Sequence, residues 1–382
     1  MKKILFVYDK NINLNKISVL YQTPKIYSEN GFDVHVICEK PINKKLKNKC
    51  KNVRFKTYSP ARLNKKITNK YLLFLKFKIE DRINRNKLKK KIKKENFDII
   101  YLMGVNSILA GKKIKDKQKV HRFFGTWDLY ESIKKNKKKR ILYFETIKAM
   151  GLKNNLTILT NDGTDSDKIY NIKNKGKYLF LINGVDNKIS KKKKRKKEKK
   201  KKIFLGISRL VNIKKPEKLI YIAKEYKKLN KNFKLIILGD GPERKKLEKI
   251  INKKKLETEV ILKGKVDNEV VQNYLNQADL IISTYDVSNL GNPFLEAMNA
   301  EKPIFTFENN ELKKIIKHKK NGFIYENKSS NYKVIAKDIN KYLENNKFQE
   351  EMKKNIKKTK KEIIITWEER IKKEIKEVKK LL

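Results

Sequence analysis

The chain of 382 residues is poor in the residues that build many specialised proteins: it has two cysteines, three histidines, two tryptophans and seven prolines. Cys38 and Cys50 alone argue against a disulfide framework and for a reducing, cytoplasmic compartment. With so few Cys and His, little material remains for a zinc site, so no metal is expected. No stretch of eighteen uncharged apolar residues occurs, so no membrane-spanning helix is expected. The opening apolar run Ile4 to Tyr8 is short and is followed by Asp9, which does not read as a secretory signal. Acidic residues are also scarce: 42 Asp and Glu stand against 98 Lys and Arg, a net charge of +56.

That excess is nearly all Lys, with abundant Asn and Ile and little Arg. Arg is the residue suited to bidentate reading of phosphates and bases, so no nucleic-acid partner is expected. Codon drift on solvated faces accounts for a Lys excess spread along the whole chain. Attraction to an anionic membrane surface is the second reading.

The 39% of hydrophobic residues is enough for real cores. At this length two domains are expected. Strand-like runs at Lys3–Tyr8, Asp33–Cys38, near Val53, Phe97–Leu102, Lys119–Phe124, Leu156–Thr160 and Tyr178–Ile182 alternate with helical segments. Such alternation means a parallel sheet with helices on both faces. Lys191 to Lys202, basic except for Glu198, cannot be buried and reads as a linker. The alternation then restarts at Ile203–Ser208, Lys234–Leu238, Val260–Lys263, Leu280–Thr284, Pro303–Phe307 and Gly322–Tyr325, and the tail from about Tyr332 is helical and basic. The expected organisation is 1–190, a linker 191–202, 203–360, and a last helix 361–382 returning to the first domain. Ligands of such sheets sit beyond the carboxyl ends of the strands, here in a cleft between the domains.

Neither G-x-G-x-x-G, nor a Walker loop, nor G-x-S-x-G is present. What stands at the strand ends is different. Ser208-Arg209, with Lys214 five residues on, brings two cations to one loop, a set suited to a diphosphate. Gly239-Asp240-Gly241-Pro242 makes a turn that would let a ligand approach the backbone closely. Tyr285 to Met298 reads as strand end, Gly/Asn loop and helix start at Pro293, whose backbone N–H groups favour a phosphate. Glu296 falls in the first turn of that helix, where a carboxylate also has a capping role. Asp165-Ser166-Asp167 imitates a metal-binding D-x-D, but a helix start explains it better.

The series Gly206-x-Ser208-Arg209-Leu210-x-x-x-Lys214, Gly239-x-Gly241-Pro242-Glu243, Gly264-x-Val266, Ala278-Asp279 and Pro293–Met298 resembles retaining glycosyltransferase family four. Asn183-Gly184-Val185-Asp186 resembles that family's N-G-V-D turn, Asn30–Val34 its early strand approach, and Trp367-Glu368 its final helix. The resemblance implies a GT-B fold of two doubly wound α/β domains and metal-independent transfer from a nucleotide-diphosphate sugar, which is a substrate, so no cofactor is needed. It implies that Arg209 and Lys214 hold the diphosphate, that Glu296 accepts hydrogen bonds from the ribose, and that Gly291, Asn292, Pro293, Phe294 and Leu295 line the diphosphate and sugar. Gly241 and Val266 belong to the same donor set. Ser288 stands where the family usually has a second Glu; Ser288 and Asn289 could bond a sugar hydroxyl, and Asp286 is near enough to lend a carboxylate. His121 lies where the family places a histidine near the transferred sugar, with Arg122, Gly125 and Thr126 on the acceptor side. The acceptor implied is a glycan or lipid-linked glycan.

A helix over Asn69 to Lys94, with Tyr71, Leu72, Leu73, Phe74, Leu75, Phe77 and Ile79 followed by Ile83, Leu88 and Ile92 in a Lys-rich stretch, reads first as an ordinary helix packed on the sheet with a solvated Lys face; the other reading is a helix lying on the inner face of an anionic membrane. A nucleotide-sugar epimerase, or a basic membrane- or RNA-binding protein on a decayed scaffold, are the competing functions.

Overall fold

The computed structural model describes residues 1–9, 14, 18–40, 42–63, 69–126, 129–130, 141–174, 176–186, 201–287 and 290–382. They form two compact units, Met1–Ile182 together with Trp367–Leu382, and Asn183–Thr366. The units divide at 182/183 rather than at 190, and ten of the twelve residues expected as linker, 191–200, lie outside the described residues.

In the first unit, β1 (Lys3–Tyr8), β2 (Asp33–Cys38), β3 (Val53–Thr57), β4 (Ile99–Met103), β5 (Gln118–Phe123), β6 (Leu156–Thr160) and β7 (Tyr178–Leu181) pair in the order β3-β2-β1-β4-β5-β6-β7. All pairs are parallel. Every residue of β4 and β6 is buried, as strands covered on both faces require. One face holds Ile4, Phe6, Tyr101, Val120 and Ile158 against Trp367, Ile371, Ile375 and Val378 of the last helix. The other holds Leu5, Val7, Ile100, Leu102 and Phe123 against Leu88, Ile92 and Ile108.

The second unit repeats the design with β8 (Lys202–Ile207), β9 (Phe233–Leu238), β10 (Val260–Gly264), β11 (Leu280–Ser283), β12 (Ile304–Phe307) and β13 (Phe323–Tyr325), all parallel in the order β10-β9-β8-β11-β12-β13. The order reverses between β8 and β11, so a crevice opens beyond their carboxyl ends. Among the described residues no helix is long and apolar enough to cross a membrane.

The basic tail is three helices, Asn331–Glu344, Asn346–Ile363 and Trp367–Lys379. Asn345 starts the second by accepting from Phe348 N at 2.9 Å. The last starts at Trp367 rather than at 361, because the Val185 N–H bonds Ile365 O (2.9 Å) and Val185 bridges Thr366, keeping those residues in the second unit.

A buried charge cluster ties the last helix to the first sheet. The Glu374 carboxylate is fully buried and accepts from Arg122 Nη1 (2.6 Å), Tyr101 OH (2.8 Å) and Arg370 Nη1. Arg370 Nε also donates to Ile182 O at 2.7 Å. Burial alone would raise the Glu374 pKa, but the charges of Arg122 and Arg370 hold it below the usual carboxylate range. Arg122, expected on the acceptor side, is therefore enclosed. Alternation along β5 turns it, with Val120, toward the last helix.

Removing one member of such a cluster leaves an uncompensated buried charge. Glu374→Ala should lower stability by about 3–5 kcal/mol, read from urea unfolding of the full chain. A loss below ~1 kcal/mol would show that the cluster does not hold the helix.

Candidate functional site

The reversal point of the second sheet is shaped by backbone packed on backbone. Beyond β8 and β9, Ser208 N donates to Leu238 O (2.9 Å), Leu210 N to Asp240 O (3.0 Å) and Glu243 N to Leu210 O (3.0 Å). Gly239 sits at φ +131°, and a Cβ there would lie 2.8 Å from the Ser208 carbonyl carbon and closer still to its oxygen. A Cβ on Gly241 would meet the Leu210 carbonyl in the same way. Gly241, expected to admit a ligand, is thus required by the neighbouring loop instead.

This packing displays the Ser208–Leu210 loop with Ser208 and Leu210 buried and Arg209 exposed. Lys214, ending the short turn Asn212–Lys214, donates from Nζ to Val287 O (3.1 Å) and lies 4.1 Å from the Tyr285 ring centre. Tyr285 is buried just past β11, and its hydroxyl donates to Ile207 O at the end of β8. Burial raises its pKa first; it also feels the negative charge of Glu296 and the positive charge of Arg209. Lys214 is thus seated against Tyr285, while Glu296 and Arg209 act on its phenol through their charges. Sequence reasoning passed over this residue because an aromatic at a strand end looks like core.

The helix Asn292–Asn299 begins with Gly291 as its cap and Pro293 in the first turn. Asn292 Oδ1 accepts from Asn183 Nδ2 at 2.7 Å, which anchors the N-G-V-D turn on this helix start. The Phe294 and Leu295 side chains are core, so only their backbone can line a site. Val266 is half-buried after β10, and the Gly239 N–H bonds Gly264 O at 2.8 Å. Ser288 and Asn289 lie outside the described residues. Asp286, the substitute carboxylate, is held by Lys218 and by Asn327 Nδ2 (2.8 Å).

Glu296 is not in the first turn, as expected, but deeper in the helix, where a capping role fades. Its carboxyl is pushed up to about 7, first by burial and then by the charge of Asp186. A helix-start carboxylate would be shifted the other way. Asp186 and Asn183 complete the surroundings of Glu296; the sequence marked their turn but gave neither a role.

In the first unit, His121 lies inside β5, which ends at Phe123. It is 2% exposed, and burial with the neighbouring Lys119 charge lowers its pKa to about 3. The imidazole is therefore neutral and enclosed, which removes His121 from the residues that can meet a substrate. Beyond the strand, Thr126 N donates to Thr164 Oγ1 (3.1 Å), and Thr164 Oγ1 donates to Asp162 Oδ1 (2.6 Å). Gly125, at φ +114°, leaves room for the Asp162 carboxylate, whose Cγ would lie 2.9 Å from a Cβ there. Gly125 and Thr126 thus gain Asp162 and Thr164 as partners. Asp165 is the cap residue of the helix Ser166–Lys173 and pairs with Lys168 at 2.9 Å.

A raised carboxyl pKa favours folding while the proton is bound. The Glu296 contribution is full below pH ~4.5 and is lost as pH rises through about 7. Glu296→Gln should match the parent at pH 5 and exceed it at pH 8 by about 1–2 kcal/mol, with partial exposure discounted. Equal parent and variant melts at both pH values would remove this electrostatic description of the site.

Residues 187–359 match the family described as Glycosyl transferases group 1. Over 131 residues the chain is 33% identical to the poly(ribitol-phosphate) alpha-N-acetylglucosaminyltransferase of Staphylococcus aureus (strain COL), covering 34% of this chain and 26% of that protein. Over 171 residues it is 25% identical to the alpha-monoglucosyldiacylglycerol synthase of Acholeplasma laidlawii, covering 42% and 43%. The chain thus spans less than half the length of the curated relatives it matches. In fold it is similar to the Anabaena protein HepE in complex with UDP and glucose, with a TM-score of 0.72 over 100% of both chains and 16% identity. The chain is an α/β protein of the GT-B type with two Rossmann-like parallel-sheet units, the second of which holds most of the residues that match Glycosyl transferases group 1.

Proposed function

We propose that the protein transfers a sugar from a nucleoside-diphosphate sugar to a hydroxyl of a glycan or lipid-linked glycan. The observation that carries this is the placement of Lys214 against Tyr285 and the Val287 carbonyl, with Arg209 exposed on the loop after β8, where the sheet order reverses. In this reading Arg209 and Lys214 bind the diphosphate, and Tyr285 with the Val287 carbonyl holds the Lys214 ammonium in place. The backbone from Gly291 to Leu295 lines the phosphates and sugar, and Glu296 accepts from the ribose hydroxyls.

In the reaction the acceptor oxygen bonds the anomeric carbon. The bond from that carbon to the phosphate oxygen breaks, and the electron pair leaves with the nucleoside diphosphate. The acceptor proton is lost to the leaving phosphate or to water. Arg209, Lys214 and the helix start stabilise the growing charge by preorganised electrostatics, without a metal. Retention of stereochemistry belongs to the same reading. On the acceptor side it rests on Gly125 and Thr126 with Asp162, no longer on His121 or Arg122.

The reading extends to place. Two relatives are named for acceptors at the cell envelope or in lipid, a polyribitol phosphate and a diacylglycerol glycoside. The unbridged thiols of Cys38 and Cys50 suit a reducing compartment. An enzyme working at the cytoplasmic face of an anionic membrane fits both, with the helix over 70–93 as its contact.

UDP and GDP are the probes. One of them should raise the melting temperature of the parent, and EDTA should leave that shift and donor turnover unchanged. Arg209→Ala should weaken nucleotide binding about ten- to a hundredfold. Turnover lost to EDTA and restored by manganese would overturn the metal-free description; unaltered nucleotide affinity in Arg209→Ala would show the donor site to be misplaced.

A further inference from the structure

The helix Lys70–Lys93 changes character halfway. Its inward stripe runs Glu80, Asn84, Leu88, Ile92, one residue every turn, and all four are buried. The second half is ordinary: Leu88 and Ile92 enter the core while the Lys residues face out. In the first half the polarity is inverted. Glu80 Oε1 accepts from Leu63 N (2.8 Å), and Asn84 exchanges hydrogen bonds with Ala61 N (2.7 Å) and O (3.2 Å). On the outside stand Tyr71, Leu72, Phe74, Leu75, Phe77, Ile79 and Ile83, between 36% and 86% exposed. The continuous apolar face expected from Ile83 through Ile92 is therefore split, with Ile83 outside and Leu88 and Ile92 inside.

A second exposed apolar group lies beside it. Ile141, Leu142 and Phe144, before and at the start of the helix Phe144–Met150, are 59–65% exposed. Glu145 joins the two segments by accepting ion pairs from Lys78 (3.2 Å) and Arg85. Lys78 Nζ also lies 5.2 Å from the Phe74 ring centre, and Lys148 Nζ lies 5.8 Å from that of Phe144. Each segment thus carries an exposed phenylalanine with an ammonium beside it.

We propose that these two segments form one composite docking surface for an anionic lipid bilayer. Apolar side chains from both enter the acyl boundary, while Lys78, Lys148 and their neighbours meet the headgroups. The inference rests on the membrane reading above and goes beyond it by adding Ile141, Leu142 and Phe144 and by ending the helix contact at Ile83. Charge selects the occupant. The apolar side chains are edged by cations in a chain of net charge +56, which repels a second copy of itself and attracts an anionic surface. Apolar insertion supplies what charge alone cannot, since salt screens the attraction.

The test is sedimentation of the full chain with sucrose-loaded phosphatidylcholine vesicles, with and without half phosphatidylglycerol. The parent should bind only the phosphatidylglycerol vesicles and be partly released by 0.5 M salt. Leu142→Ser with Phe144→Ser, and separately Leu72→Ser with Leu75→Ser, should each weaken binding about tenfold. Both variants should keep the parent's melting temperature and its shift with nucleotide. A parent that binds neither vesicle fails the membrane reading itself. Parental binding by the Leu142/Phe144 variant, beside weakened binding by the Leu72/Leu75 variant, overturns the composite surface alone. A collapsed melting temperature in either variant, or a dimer in sedimentation equilibrium that both variants abolish, overturns it as well, by showing core side chains or a second copy as the occupant.

Discussion

The second unit depends on how closely two pieces of backbone approach each other. The Ser208 carbonyl stands where a Cβ on residue 239 would have to be, and the Leu210 carbonyl stands in the same relation to residue 241. Only glycine satisfies both, and the result is a laced junction between the loops after β8 and β9. The junction leaves Arg209 turned outward between two buried neighbours. It also fixes the end of β8, where Ile207 O receives the Tyr285 hydroxyl, so the ring that holds Lys214 is seated on the same scaffold. Placement of the two cations is thus inherited from backbone contacts that touch no ligand. In the proposed function, that backbone-set placement is the preorganisation on which stabilisation of a leaving diphosphate draws.

Two glutamates, Glu374 buried and Glu296 half-buried, show how environment sets the charge of a carboxyl group. Glu374 is enclosed with two guanidinium groups and a phenol, and its pKa falls despite complete burial. Glu296 has burial and a like charge, Asp186, as the leading influences on it, and its pKa rises to about 7. In the first arrangement the carboxylate itself is neutralised and hydrogen-bonded within the chain. The second holds a carboxylate at a cost that ribose hydroxyl donors would offset. Perturbed groups of the second kind cluster at functional sites because a ligand completes them.

The two sheets were legible because strands covered on both faces are apolar runs, and β4 and β6 are buried throughout. In the candidate site, Arg209 stands out in the sequence as a rare Arg among lysines, and the structure puts it on the exposed loop after β8. The site was misread where the argument needed the register of one residue. His121 and Arg122 fall inside the run Lys119–Phe124, but the letters do not say that both side chains are enclosed, Arg122 against the last helix. Glu296 was assigned to the first turn because Pro293 marks a helix start, yet the helix and its cap fix it further in. Tyr285 was invisible because its role is relational. Nothing in the letters says that this ring will hold the ammonium of residue 214 and bond the end of β8. The same holds for Asp162, whose carboxylate is matched to a missing side chain at Gly125.

The charge of the chain raises a separate question of scale. At physiological ionic strength a charge is felt over about 8 Å, far less than the reach of either sheet. A net charge of +56 spread along 382 residues therefore draws the protein toward any polyanion, but it orients nothing. Orientation needs a local asymmetry that is not electrostatic alone. The first half of the helix Lys70–Lys93 has one, because it turns Glu80 and Asn84 inward and Phe74 and Phe77 outward against the ordinary rule of burial. Holding Glu80 and Asn84 inside is stable because the backbone of Ala61 and Leu63 satisfies them. The inversion is thus written into the fold by hydrogen bonds rather than left over from imperfect packing. A local asymmetry held in place by hydrogen bonds is what diffuse charge by itself does not provide, and it is on this that the proposed docking surface rests.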